Sequence, residues 1–457
     1  MEASRRARSI VLVTMCAGYF LVLLDVTIVN VALPRIGSDL HVGVDGLQWV
    51  VDGYAIALAS LMLAGGTVGD LHGHKRVVLW GLGCFGAGSL ACGAAPSIGL
   101  LVAARVLQGV GAACLLPGTL AIVTHAFPGR AEQARAIGVW ASIGSVALPA
   151  GPLLGGGLIA AIGWRAVFLL NLPIVAAALL VSARVIREST DPTGRRLDVA
   201  GTALGAVVLA AVTFAFVQAG RGGLGAPVVA AGVAAIAALA AFLAVERSRP
   251  DPMLPLTLFR RRGFMTANCV AGAMNLGTLG LLFVLTLYLQ GVQHRSALAA
   301  GVATIPLFLP LSVLAPLAGR LTARAGPQVP MAAGLAASAA GVALLVRLDA
   351  GSGYGVLLPA LLLWGIGLGV LTPAVVAAAM RAVPAPRAGL ASATNNTARQ
   401  AGGAIGIAAF GALAGSAADD RAFVAGLHAD ALIAAGLWIA AILATATLVP
   451  PVRGGGS

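Results

Sequence analysis

A chain of 457 residues that is 59% apolar and only 10% charged is not a water-soluble protein, because soluble globular chains carry roughly a quarter charged residues. Its mean hydropathy of +0.96 moves the question from domains to membrane spans of about 20 apolar residues each. The net charge of +13 would point to nucleic acid in a soluble protein, but its placement along the chain excludes that reading.

Charged breaks and Pro/Gly punctuation separate fourteen apolar segments, expected as helices at 10–33, 46–68, 77–95, 98–123, 134–162, 165–186, 199–219, 226–245, 264–290, 297–321, 328–347, 355–380, 389–417 and 429–450. Helices follow from segment length, since barrel strands need only about ten alternating residues. Ahead of span 1, Arg5, Arg6 and Arg8 imitate a signal peptide. The apolar run from Ile10 continues past signal length, so it reads as a retained first helix. Asp25 falls in span 1 and Asp52 in span 2.

The loop after span 2, GTVGDLHGHKR, holds Gly66 and Gly73 together with Lys75, the single lysine of the chain. Lys75 does not sit in GxxxxGK[ST], so there is no Walker loop for ATP hydrolysis. In span 3, Gly81, Gly83 and Gly86 satisfy GxGxxG, but no strand precedes them and close helix packing explains them better than a dinucleotide. Span 4 carries Arg105. Spans 7 and 8 have no charged residue in 199–220 or 222–245. The loop after span 10, GRLTARAG, repeats two glycines, Gly319 and Gly326, at the separation of Gly66 and Gly73. If spans 1–6 and 9–14 are equivalent halves, the same loop stands in each and spans 7–8 are an inserted pair. The expected division is 1–190, 191–250 and 251–457. Repeated halves around a midplane site are a transporter architecture.

An even number of spans puts both termini on one side. With the amino terminus in the cytoplasm, 21 of the 29 Lys+Arg fall on the inner side. Six lie in outer loops (Arg35, Arg165, Arg221, Arg295, Arg347, Arg421), and Arg105 and Arg399 lie within spans. The 16 acids divide as eight inside, six outside and two within spans. The whole net charge therefore sits on the cytoplasmic face, as the positive-inside rule asks, and anionic headgroups are its partner. Cys16, Cys84, Cys92, Cys114 and Cys269 form no CxxC pair and read as buried small hydrophobes. There is no HExxH or GxSxG, and the six histidines read as loop residues, so an intramembrane enzyme, a metal site and a cofactor are not expected.

An ionisable residue at mid-span costs about 2.5–3.5 kcal/mol by insertion scales and is a functional candidate by default. Asp25, Asp52 and Arg105 each lie roughly 8–12 Å below the outer end of their expected helix at 1.5 Å per residue. Two carboxylates sharing one arginine leave one acid able to take up a proton. Asp25 is the stronger candidate; Asp52 is placed nearer the headgroup boundary. A purely structural ion pair is the competing reading.

Six motifs match one family. Span 1 reads Asp25-Val-Thr27-Ile-Val-Asn30-Val-Ala-Leu-Pro34, and the 2–3 loop reads Gly66-x-x-x-Asp70-x-x-Gly73-x-Lys75-Arg76. Span 4 carries Arg105-x-x-Gln108-Gly109-x-Gly111, and span 5 Gly151-Pro152-x-x-Gly155-Gly156. Trp164-Arg165-x-x-Phe168-x-x-Asn171-x-Pro173 follows, with Asn396-x-x-Arg399-Gln400-x-Gly402-Gly403 in span 13. Over nearly its whole length the chain resembles the major facilitator superfamily, in its fourteen-helix drug–proton antiporter branch. The WxVDGY stretch holding Asp52 is similar to methylenomycin-resistance-type exporters.

The resemblance implies an all-α polytopic membrane protein, two six-helix halves plus an inserted helix pair. It implies an exporter of small amphipathic drugs or antibiotics, driven by the proton gradient and needing no cofactor. The partners implied are a small-molecule substrate, protons and the bilayer, with no nucleic acid. The protein is expected to be a plasma-membrane monomer with both termini cytoplasmic; a dedicated exporter of one endogenous metabolite is the alternative. Arg105 is implied to couple proton uptake to substrate. Asp70 is placed where an anion can cap the third helix, with Lys75 and Arg76 toward headgroups. Gly151, Pro152, Gly155 and Gly156 permit a kink and close contact, which suits a hinge. Departures are Leu71 and His74 for usual arginines, Ala147 for a first glycine, and Ala323 where the first half has Asp70.

Overall fold

The computed structural model describes residues 2–127, 130–186, 188, 198–249, 256–383, 388–415 and 419–449. Both expected division points fall in segments outside these residues. The described residues form sixteen α-helices and no strand. They are α1 (Glu2–Leu40), α2 (Val44–His72), α3 (His74–Ala94), α4 (Ile98–Ala126), α5 (Arg130–Ala161), α6 (Arg165–Leu169), α7 (Asn171–Val185) and α8 (Val199–Gly222). Then come α9 (Ala226–Ser248), α10 (Leu256–Phe259), α11 (Arg262–Leu287), α12 (Ala297–Ala325), α13 (Gln328–Ala343), α14 (Tyr354–Arg381), α15 (Ala388–Ala414) and α16 (Asp420–Leu448). A π-helical turn, Tyr288–Val292, prolongs α11, and a 3-10 turn, Leu344–Arg347, prolongs α13. Among the described residues, 11 helical stretches are long and apolar enough to cross a membrane. The segments expected at 46–68, 134–162 and 389–417 are helical too within α2, α5 and α15, the last two as far as Ala161 and Ala414.

Several expectations need correction. The span expected at 10–33 is longer, because α1 runs on to Leu40 with Pro34 inside it. Buried Ile36 anchors that extension, and Arg35 and Asp39 pair one turn apart at 3.4 Å. The GTVGDLHG stretch is not a loop, because α2 continues through His72 and only Gly73, at φ +101, breaks the chain. The sixth span is a short helix and a longer one joined at Leu170, where Pro173 lacks the N–H that would bond back to Leu169. The histidines are not all loop residues: His72 and His74 flank Gly73 in helix ends, and His125 and His428 sit within α4 and α16. Asp430, counted with the outer loop, lies inside α16. The cysteines are not uniformly buried, since Cys269 is exposed and Cys84 and Cys114 are half-buried. A membrane helix has a lipid-facing side, and apolar surroundings in sequence do not mean burial in protein.

The chain divides into two compact units. Unit 1 is Met1–Val212 with Ala230–Met253 and Ser296–Val302; unit 2 is Thr213–Val229, Leu254–Arg295 and Ala303–Ser457. In unit 1, α4 packs against α2 and α3, and α1 against α5, around Leu21, Val22, Val78, Leu82, Phe85 and Leu115. In unit 2, α13 packs against α14 and α16, and α11 against α15.

The internal repeat has a geometric counterpart within each unit. Gly66 faces Pro117 of α4 and Gly319 faces Pro373 of α14. Gly73 and Gly326 both adopt positive φ, at 101° and 84°. A Cβ on Gly81 would sit 3.0 Å from the Gly111 carbonyl, and one on Gly334 would sit 2.7 Å from that of Gly367. Gly88 meets the Ala104 carbonyl as Gly341 meets that of Ala360. Each unit therefore closes its second, third and fourth long helices through glycines at matching positions.

Candidate functional site

The site begins on α4. Arg105 and Gln108 are three residues apart and so share a face. Glycines let the neighbouring helices come in close: a Cβ on Gly109 would lie 2.5 Å from the Tyr54 carbonyl on α2, and one on Gly88 of α3 would lie 2.7 Å from Gln108. Arg105 is 1% exposed and forms an ion pair with Asp25 of α1, also 1% exposed. Arg105 Nε donates to the Val50 carbonyl at 2.9 Å, and its Nη1 donates to Gln108 Oε1 at 2.9 Å. Its guanidinium lies 4.4 Å from the ring centre of Tyr54 and 5.9 Å from that of Phe168. Gln108 Nε2 donates to Asp25 Oδ1 at 3.4 Å and to Ser89 Oγ at 2.8 Å. Asn171 donates to the same Ser89 oxygen at 3.2 Å, and Cys92 Sγ lies 3.3 Å from Gln108 Oε1.

Every element of unit 1 from α1 to α7, apart from α5, thus lends a group to one buried hub. A buried charge is tolerated only when paired and hydrogen-bonded, and the Asp25–Arg105 pair meets both conditions. Asp52 does not. It sits eight residues into α2, about 12 Å along the axis, with no exposed surface and, among the described residues, no hydrogen-bond partner for either carboxylate oxygen. Its place in the span is thus buried within the protein.

The other expected residues fall around this hub. Asn30 is buried and its Nδ2 donates to the Val26 carbonyl at 3.2 Å. Arg165 donates to the Ala95 carbonyl at 3.2 Å and approaches Asp39 at 3.9 Å, while Trp164 Nε1 donates to Asp39 at 2.9 Å. Arg399 and Gln400 lie half-buried on α15 in unit 2, where Gly402 packs on the Gly272 backbone of α11.

At the 2–3 junction the Asp70 side chain lies outside the described residues. An anion is nevertheless present at the start of α3. Glu188, from beyond α7, accepts from the Lys75 backbone N–H at 3.0 Å and approaches Arg76 Nε at 3.6 Å, a favourable place for a negative charge. Lys75 Nζ donates to the Ala183 carbonyl at 2.8 Å. Sequence reading missed Glu188, one of three acids in the charged stretch after the sixth span, with no pattern to set it apart.

The Gly151-Pro152 stretch of α5 abuts α1 beside the hub. A Cβ on Gly151 would lie 2.0 Å from Thr27 Oγ1, and one on Gly155 would lie 2.9 Å from Ile28. Gly156 faces Leu298, and Gly301 faces Pro152, at the start of α12 within unit 1. Overpacking costs typically about 1–3 kcal/mol, so Gly151→Ala is expected to lower transport roughly tenfold by displacing α1 next to Asp25. Gly157→Ala, with nothing within 4 Å of its Cβ, is the matched control. Equal transport rates for the two variants would remove the steric role.

Comparison with known proteins gives the context for this hub. Multidrug resistance protein Stp from Mycobacterium tuberculosis is 35% identical over 410 residues, covering 89% of this chain and 76% of Stp. Methylenomycin A resistance protein from Streptomyces coelicolor is 34% identical over 406 residues, covering 89% of this chain and 85% of that protein. Among solved structures, a peptide transporter POT superposes with a TM-score of 0.69 at 16% identity, covering 94% of this chain and 93% of that one. At that identity the likeness speaks for the fold alone. Residues 15–407 match the Major Facilitator Superfamily as a whole, and a chain so matched, with relatives of this similarity, belongs to that superfamily of multi-pass membrane transporters.

Proposed function

We propose that this protein is a proton-coupled exporter of small amphipathic drugs or antibiotics, working by alternating access. The observation that carries the reading is the buried hub of Asp25 and Arg105 with a second buried acid, Asp52, in the same unit. Two carboxylates and one guanidinium sum to a formal charge of −1, which a single proton neutralises. Arg105 is committed to Asp25, so Asp52 is the acid left to carry that proton in this conformation. Release of the proton from Asp52 then creates a second claimant for Arg105. A proton can bias such an equilibrium only through unequal affinity for the two conformations, and competition for one arginine supplies the inequality. The Gly151-Pro152-x-x-Gly155-Gly156 stretch acts as the hinge, and Gly66, Asp70, Gly73, Lys75 and Arg76 as the inner gate.

Drug export is favoured by the names of the relatives, one a multidrug and one a methylenomycin A resistance protein. The second of those names, with its single antibiotic, supports the narrower alternative of a dedicated exporter. The proton gradient supplies the energy without a cofactor, and the protein works as a monomer in the plasma membrane. The test is efflux of ethidium, a small amphipathic cation, from proteoliposomes with an imposed pH gradient. Uphill ethidium movement that collapses with the gradient supports the reading; movement indifferent to the gradient overturns it.

Fourteen crossings with both termini cytoplasmic follow from the charge distribution. Single cysteines introduced at Arg261 and Arg387, on a background lacking the five native cysteines, are expected to react with impermeant reagent only from inside. Reaction of both in intact cells would reject the orientation. Arg387 lies outside the described residues.

A further inference from the structure

Unit 2 contains an acid that this coupling set does not use. Asp430 lies ten residues into α16, about 15 Å along the axis, in a helix apolar and long enough to span a membrane. It has no exposed surface, and among the described residues neither Oδ1 nor Oδ2 has a hydrogen-bond partner. On its own face the buried neighbours are Leu427, Ala431 and Ala434.

The elements packed against α16 are α11, α13, α15, the π turn after α11 and the 3-10 turn after α13. Helix α13 has no titratable residue. On α11 there are Arg262 and Cys269, near its far end. Tyr288 of the π turn donates its hydroxyl to the Asp349 carbonyl at 2.5 Å, and Arg347 of the 3-10 turn is exposed. Arg399 is the one charged group described on α15. Gly426 packs against Ala414, which fixes the level: Asp430 is about 6 Å along from that contact and Arg399 about 22 Å. On α16 itself Asp420 and Arg421 are about 13 Å or more away, and His428 points elsewhere, its Nε2 2.7 Å from the Leu348 carbonyl. Among the described residues, no cation pairs with Asp430.

A bare carboxylate at such a place is among the least tolerable groups in a membrane protein, and the two neighbouring helices both lose α geometry beside it. The π turn Tyr288–Val292 and the 3-10 turn Leu344–Arg347 flank α16 at the ends of α11 and α13; 3-10 turns are common at helix ends, whereas single π turns occur frequently at functional sites. Polar groups line the end of this seam. Gln293 Nε2 donates to Tyr288 Oη at 3.0 Å and to the Ser352 carbonyl at 2.8 Å.

We propose that Asp430 is a proton-binding site of unit 2, separate from the Asp25–Arg105 hub, and that it takes a second proton in each export cycle. The second half of the statement rests on the proton-coupled reading above. Loading transfers one proton from hydronium to the carboxylate, forming the O–H bond and leaving water; unloading reverses it. The step needs no metal or further ligand, and the buried neighbours Leu427, Ala431 and Ala434 are all apolar.

The test has two independent readouts on the full chain reconstituted in lipid. Infrared difference spectra after a pH jump follow the C=O stretch of a protonated carboxyl in apolar surroundings. Asp430→Asn and Asp430→Leu are both expected to remove one such pH-responsive band, which Asp25→Asn and Asp52→Asn retain. Leucine is the control for folding, because it suits the site better than any polar group. In proteoliposomes, one proton fewer per ethidium lowers the ethidium ratio sustained by one pH unit tenfold, since one pH unit is 1.36 kcal/mol per proton. A spectrum unchanged by both substitutions overturns the site, as does a band that never responds to pH. An unchanged ethidium ratio overturns the second proton. If the wild-type protein shows the band but moves no ethidium uphill, the export reading fails and the proton site stands.

Discussion

Replacing Arg105 with leucine is expected to abolish uphill transport and to reduce the folded yield sharply. The substitution leaves Asp25 buried with its cation gone, so it must either hold an uncompensated charge or take up a proton, and strips the Val50 carbonyl and Gln108 Oε1 of a donor. Removing one member of a buried pair costs about 3–5 kcal/mol because the other charge stays behind. Adding Asp25→Asn removes that orphaned charge, so the double variant is expected to recover most of the stability but none of the coupled transport. Thermal unfolding of the purified protein reads the first effect and pH-driven efflux the second. If Arg105→Leu alone unfolds at the wild-type temperature, Arg105 and Asp25 do not depend on each other as the ion pair requires. If the double variant transports uphill, the pair is structural.

The hub was legible in part because the membrane makes charge conspicuous. Asp25, Asp52 and Arg105 stand out against apolar sequence, and the motifs around Arg105 and Gly151 name the helices that meet there. Their division of labour was not legible. That Arg105 pairs with Asp25 and leaves Asp52 alone depends on how α2 rotates against α4, which Gly53, Gly109 and Tyr54 settle through close backbone contact. Ser89 and Cys92 were unreadable for another reason: each is a small residue in an apolar run, and only the approach of α3 to Gln108 gives them a role. Glu188 escaped because capping across a long separation leaves no local pattern.

The repeat shows how the two units line the same helix contacts with different residues. Gly88 meets Ala104 and Gln108 in unit 1, and Gly341 meets Ala360 and Trp364 in unit 2. Trp364 therefore stands where unit 1 has Gln108, and Leu361 where it has Arg105. Trp364 is fully buried and packs on Trp438, ring centres 6.4 Å apart. The same helix triad is closed by apolar packing in one unit and by a charged network in the other. Sequence hinted at this asymmetry through Ala323 in the place of Asp70, and the helix interiors extend it.

Asp52→Asn and Asp25→Asn are expected to fail in different ways, and the comparison assigns the proton. Asparagine at position 52 reproduces a neutral carboxyl in size and charge and leaves the Asp25–Arg105 pair intact. The protein should therefore fold normally and exchange ethidium downhill, yet accumulate none against a gradient, because nothing is left to release a proton. Asparagine at position 25 leaves Arg105 as a buried, unpaired cation beside Tyr54. Stability should fall by about 3–5 kcal/mol, and downhill exchange should fall with it. Asp25→Glu keeps the charge with the carboxylate displaced by one methylene, and retains part of both. Downhill exchange and thermal unfolding, measured on the same preparations, separate the cases. If Asp25→Asn instead keeps its stability and its downhill exchange while losing uphill transport, Asp25 is the acid that carries the proton. Wild-type accumulation by Asp52→Asn would remove Asp52 from the coupling set, since a site that cannot change its charge cannot transmit a proton gradient.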